Sequence, residues 1–96
     1  MKLVKVEPAN DGKHKLKATF LCDDGKNNVV LFGVQGSKSY IDGASREVRD
    51  AYRARHARDI TNTSPITRGN LSYFITWGDS QDIKRNIADY RRRFKV

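Results

Sequence analysis

Residues 79–94 read DSQDIKRNIADYRRRF. Ile83, Ile87, Tyr90 and Phe94 recur at i, i+4, i+7 and i+11, which is one stripe of a helix. Lys84, Arg85, Arg91, Arg92, Arg93 and Lys95 surround that stripe. The stretch is predicted to dock on a core along its apolar side and to show positive charge elsewhere. Asp79 or Ser80 is the expected N-cap.

Working back from this helix, Gly78 is read as the C′ residue closing a short helix at about 68–77, capped by Thr67. Leu71, Phe74 and Ile75 share one side of it, while Tyr73 and Trp77 are i, i+4 partners on another. Pro65 and the run Asp59–Ser64 separate it from an earlier helix at about 45–58, capped by Ser45 or Asp42. Ala44, Val48, Ala51 and Tyr52 are its expected apolar face. Arg46, Arg49, Arg53 and His56, at i, i+3, i+7 and i+10, are its basic face. Residues 36–43, rich in Gly and Ser, read as a loop without a regular element.

The first 34 residues carry strand signals. Lys2–Glu7 alternates and is stopped by Pro8–Gly12. In residues 13–22, KHKLKATFLC, Leu16, Ala18, Phe20 and Cys22 fall on one side and the lysines on the other. Asp23-Asp24-Gly25 is a hairpin turn, and Asn28–Val34 returns with apolar residues on both faces. The expected fold is α+β: an N-terminal antiparallel hairpin or three-stranded sheet, then three helices. One domain spans 1–96, with its sheet part at 1–34 and its helical part at 45–94. The expected core is Phe20, Phe32, Tyr52, Leu71, Phe74, Trp77, Ile83, Ile87, Tyr90 and Phe94.

Charge narrows the class of partner. The 96 residues carry 19 Lys and Arg against 11 Asp and Glu, a net +8. Residues 44–96 hold twelve basic and six acidic side chains, a net +6, so the helical half carries most of the field. Cys22 is the single cysteine, which excludes an intrachain disulfide and a cysteine-based zinc cluster and fits a reducing compartment. No apolar run approaches the roughly 20 residues that span a bilayer. The opening MKLVK lacks the apolar core of a secretory signal.

From Phe32 onward an ordered set of motifs stands out: FG-x2-G at 32–36, R-x5-YRARH at 46–56, P-x-T-x-G-x-LS at 65–72, I-x-WG at 75–78 and IADYRRRF at 87–94. With the preceding K-x-KATF, this resembles a family of small basic proteins of uncharacterised function encoded by large double-stranded DNA viruses of algae and amoebae. The resemblance covers about two thirds of the chain. Ser37, Gly43 and Asn62 depart from its pattern, where an aromatic, a histidine and a tryptophan are usual. The resemblance implies a viral setting and a role in the particle or in handling viral DNA; it implies no activity.

The residues add no catalytic set. His14 and His56 have no nucleophile at a recognisable spacing, and Cys22 beside Asp23 and Asp24 reads as a half-buried structural cysteine. Asp23-Asp24-Gly25 is turn chemistry before it is a metal site, and Gly33, Gly36 and Gly43 form no phosphate loop. No enzyme, metal or cofactor is expected. The candidate site is a row of cations: Arg46, Arg49, Arg53 and His56, extended by Arg85, Arg91, Arg92 and Arg93 if the helices pack side by side. The planar guanidinium fork suits oxyanions. Against this stands a solvated face neutralised by Glu47, Asp50, Asp82 and Asp89, with Asp50–Arg53 and Asp89–Arg93 pairs. Tyr40 and Ile41 in the loop are expected to touch a partner.

The expected function is that of a non-enzymatic basic protein of a virus particle, a small minor-capsid or core component set against acidic surfaces of other virion proteins. The alternative is a sequence-nonspecific nucleic-acid-binding protein that packages or handles viral DNA. An inhibitor of a host nuclease or polymerase is a further reading. The expected location is the virion, otherwise the host cytoplasm or nucleus. The sequence leaves the oligomeric state open.

Overall fold

The computed structural model describes residues 1–61 and 63–96; the departure from the family pattern at Asn62 lies outside the described residues. Three antiparallel strands, β1 (Lys2–Pro8), β2 (His14–Leu21) and β3 (Asn27–Val34), form a sheet of order β1-β2-β3. Three helices follow: α1 (Arg46–His56), α2 (Arg68–Leu71) and α3 (Ile83–Phe94). The fold is α+β, with an N-terminal three-stranded antiparallel sheet and three helices after it.

Side-chain alternation sets the register. Leu16 faces Phe32 and Ala18 faces Val30 across β2 and β3; Leu3 faces Phe20 across β1 and β2. A one-residue slip would turn this set away from the helices, so burial fixes the pairing. Gly25 lies at φ +83°, and Cys22 exchanges backbone bonds with Gly25 and Lys26 at 2.9 Å to close the hairpin. The outer edge of β1 meets the chain's last residue: the Leu3 amide donates to the Val96 carbonyl at 2.9 Å.

The core lies between the sheet and the last two helices. Leu3, Leu16, Ala18, Phe20, Phe32, Leu71, Ile75 and Tyr90 are buried together, and Phe74, Ile83, Ile87 and Phe94 pack against them half-exposed. Trp77 is buried and Tyr52 half-buried. Phe74, Tyr90 and Phe94 touch edge-on or tilted, with centroids 4.7–6.4 Å apart.

Four local expectations need correction. The loop at 36–43 contains a 3-10 turn, Tyr40–Asp42, because the Asp42 carboxylate accepts from the Ser39 amide and hydroxyl and closes the turn. The last helix begins at Ile83, capped by Asp82 rather than by Asp79 or Ser80. Residues 79–81 instead form a turn held by Asn86, whose amide oxygen accepts from the Ser80 amide. The helix after Thr67 stays α-helical only to Leu71; Ser72–Thr76 is a π-helical turn, with the Trp77 amide donating to the Ser72 carbonyl at 2.9 Å. Tyr73 and Trp77 are therefore not stacked neighbours. Tyr73 meets Phe74 edge-on, and Trp77 stacks on Tyr52. Finally, Gly78 does not hold a left-handed cap. It is needed for close approach: an added Cβ would collide with the Phe74 carbonyl and lie 2.6 Å from Asn86 Cγ.

Candidate functional site

The expected basic face of α1 turns inward. Arg49 is buried at 7% exposure, and Tyr52, Arg53 and His56 are half-buried on the same side, while Val48 is 49% exposed and Ala51 is exposed. The helix is rotated by about one residue, roughly 100°, from the orientation its apolar residues suggest. The cause is what it faces. Val48, Ala51 and Ala54 are small and offer little burial energy, whereas the opposing surface is aromatic and carries oxygen acceptors.

Two arginines of the row, Arg49 and Arg53, are consumed by that surface. The Arg49 guanidinium sits 4.8 Å from the Tyr40 ring centroid, donates to Asp50 Oδ1 at 3.0 and 3.1 Å, and reaches the Asp79 carbonyl at 3.2 Å. Arg53 lies 5.1 Å over Tyr73 and pairs with Asp79 at 3.0 Å. Both use cation–π attraction with a charge-assisted hydrogen bond, and their aliphatic stems cover apolar surface. His56 pairs with Asp59 at 2.9 Å and stacks on Tyr52 at 4.2 Å; Tyr52 stacks in turn on Trp77 at 4.4 Å. Burial pushes the Tyr52 phenol up, an effect its Ser72 hydrogen bond partly offsets. Only Arg46 of the four is exposed and without an ion pair or hydrogen bond among the described residues.

The arginines of α3 divide in the same way. Arg91 donates to the Leu3 carbonyl at 2.9 and 3.2 Å and ties the helix to β1. Arg92 pairs with Asp89, and Arg93 lies 4.2 Å over the Phe74 ring. The expected Asp50–Arg53 and Asp89–Arg93 pairs are replaced by Asp50–Arg49 and Asp89–Arg92. Arg53, Arg92 and Arg93 do share one recess of about 230 Å³, but Asp79 and Asp89 line it with them. Arg85 is exposed and belongs to another recess, with Asp79, Asp82 and Asp89. The eight cations thus do not form one continuous patch. Tyr40 and Ile41, expected at a partner contact, lie half-buried: Tyr40 beneath Arg49, Ile41 against the core.

Two buried asparagines escaped sequence reasoning. Asn70 accepts from the Thr61 amide and donates to the Thr61 and Ser64 carbonyls, fixing the chain before α2. Asn86 donates to the Ile75 and Ser80 carbonyls and joins α3 to the π turn. Both lie within 1% of full burial. A cavity lined by His14, Lys15 and Arg68 was missed as well, because its residues come from separate segments. Gly33 inside β3 was the available signal, since an isolated glycine in a strand marks close approach.

No group of three or more His, Cys, Asp or Glu side chains able to hold a metal occurs among the described residues, and Cys22 is a free, half-buried thiol. No helix of the described residues is long and apolar enough to cross a membrane.

Residues 4–56 match a family of unknown function, DUF5754. The chain is 34% identical over 80 residues to the uncharacterized protein L851 of Acanthamoeba polyphaga mimivirus, covering 77% of this chain and 80% of that protein. The chain belongs to this family, and its mimivirus relative meets the expected viral resemblance. No solved structure matches.

Proposed function

We propose that this chain is a non-enzymatic basic binding protein of a large DNA virus, a minor-capsid or core component that meets acidic surfaces of other virion proteins. The observation that carries the proposal is the set of cations the fold does not use. The side chains of Arg46 and Arg55 on the outer side of α1, of Arg58 in the 3-10 turn that follows it, and of Lys84 and Arg85 on α3 are exposed and have no ion pair or hydrogen bond among the described residues. Two thirds of the arginine row is spent on internal contacts, so the remaining outward cations are the part available to a partner. The mimivirus relative supplies the viral setting. The virion, or otherwise the cytoplasm or nucleus of the host, is the place such a role requires.

Quantitative mass spectrometry of purified particles tests it. The chain should appear in fixed ratio to the major capsid protein, and a variant with Arg46, Arg55 and Arg58 replaced by Ala should be depleted. Absence from particles sinks the proposal.

The net +6 of residues 44–96 favours a second reading, nonspecific binding of nucleic acid. Duplex DNA binding that falls about 10³-fold or more between about 50 and 200 mM salt would support it. No binding at low salt would remove it.

A further inference from the structure

The cavity between the His14–Lys15 end of β2 and the start of α2 is separate from the outward cations. It holds about 270 Å³, the share of roughly nine waters at about 30 Å³ each. Its walls are of two kinds. Phe32, Tyr52 and Trp77 make an apolar, aromatic side. His14, Lys15 and Arg68 supply three basic side chains, with hydroxyls from Ser37 and Ser72 beside them, and no carboxylate lines it.

Carboxylates stand behind two of these bases rather than inside the cavity. Lys15 Nζ donates to the Ser37 carbonyl at 2.5 Å and pairs with Asp42. Burial pushes the Asp42 carboxyl up, but hydrogen bonds from Lys15 and Ser39 outweigh it and hold it below the usual carboxylate range. His14 is fixed through Nδ1 by Asp11 at 2.6 Å, which leaves Nε2 available. Arg68 is exposed and has no ion pair or hydrogen bond among the described residues. Gly33 keeps the space open. It lies at φ +76°, and an added Cβ would stand 3.0 Å from Lys15 Cβ and 3.6 Å from Thr76 Cγ2.

We infer that this cavity binds a small phosphate monoester with a flat apolar group, its oxyanion on Arg68 and Lys15 and its ring against Trp77 and the edge of Tyr52. A guanidinium fork and an ammonium lining the same cavity fit a phosphate's oxygens. The volume exceeds what a bare oxyanion fills, and the aromatic wall gives the surplus space its chemistry. This site is independent of the acidic macromolecular partner proposed above.

Trp77 is the single tryptophan, so fluorescence excited selectively at tryptophan reports on this wall of the cavity. The full chain should be titrated with phenyl phosphate, inorganic phosphate and phenol. Phenyl phosphate should give a saturable change with Kd below about 1 mM. Inorganic phosphate should bind more weakly, and phenol should not bind. Arg68→Ala should weaken phenyl phosphate by about 10-fold or more, the loss of one charge-assisted contact. Arg68→Gln serves as a second variant with the stem kept, and Lys26→Ala, exposed in the β2–β3 hairpin, should bind as the parent does. No saturable change up to about 10 mM, or unchanged affinity in both folded Arg68 variants, overturns the inference. Equal affinity for inorganic and phenyl phosphate overturns the role of the aromatic wall.

Discussion

Helices α1 and α3 have eleven and twelve residues, and both are dense in arginine, yet they meet the rest of the molecule in opposite ways. α3 sets an apolar stripe inward and most of its cations outward. α1 sets Arg49, Arg53 and His56 inward and leaves Val48 and Ala51 in water. The difference lies in what each helix offers for burial. Ile83, Ile87, Tyr90 and Phe94 bury far more apolar area than Val48, Ala51 and Ala54 could, at about 25 cal/mol per Å². Where the apolar gain is small, a guanidinium facing aromatic rings and carbonyl oxygens decides the orientation instead.

The comparison can be broken most sharply on α3. Tyr90→Ala removes a core ring at 1% exposure and should cost about 3–5 kcal/mol. Chemical unfolding measures this, and a loss under about 1 kcal/mol would show that the stripe does not hold the fold. Asn86→Ala should cost about 1–3 kcal/mol, because it leaves the Ser80 amide and carbonyl without their Asn86 partner and takes one of its bonds from the Ile75 carbonyl. An unchanged urea midpoint would mean that the clamp is incidental.

A paired substitution sharpens the α1 side. Arg49→Ala should destabilise by about 1–2 kcal/mol through lost cation–π and hydrogen-bond contacts. Val48→Ala should fall within about 0.5 kcal/mol. The reverse ranking in thermal melts would restore the orientation read from the apolar residues.

Burial holds the Tyr90 phenol well above the usual tyrosine range. The folded state favours the neutral phenol, which donates to the Pro65 carbonyl. Its contribution is complete below the unfolded value of about 10 and is lost as pH rises past it. Stability should therefore decline above about pH 10, and Tyr90→Phe should flatten that decline; an unchanged alkaline limb would assign it elsewhere. A small effect is also expected at Arg92, exposed and paired with Asp89. Arg92→Ala should change stability by no more than about 1 kcal/mol. A larger loss would make α3's outer cations structural like those of α1.

The strands, the Asp-Asp-Gly hairpin and the α3 stripe could be read from the chain because each signal is local: period two, a turn residue, period 3.6. The rotation of α1 could not. It depends on Tyr40, Tyr73 and Asp79, which lie 9 to 30 positions from the arginines they hold. The Asn70 and Asn86 clamps were hidden for a related reason, since an asparagine in a helix reads as a weak former until its backbone partners are known. The candidate cation row was visible as composition and spacing, but whether a cation serves the fold or a partner is set by neighbours that spacing does not reveal.

The π turn at Ser72–Thr76 places one residue more in its loop than an α turn does. It makes this segment sensitive to insertion and deletion in a way its sequence does not advertise. Removing one residue here would let the backbone continue as ordinary α-helix, and everything after it would swing by about 100°. Trp77 would leave Tyr52, and Gly78 would no longer sit beneath Asn86. Between relatives, a single-residue gap at this point would be a change of phase rather than a trimmed loop, and an alignment across it would join positions that do not share a place in space.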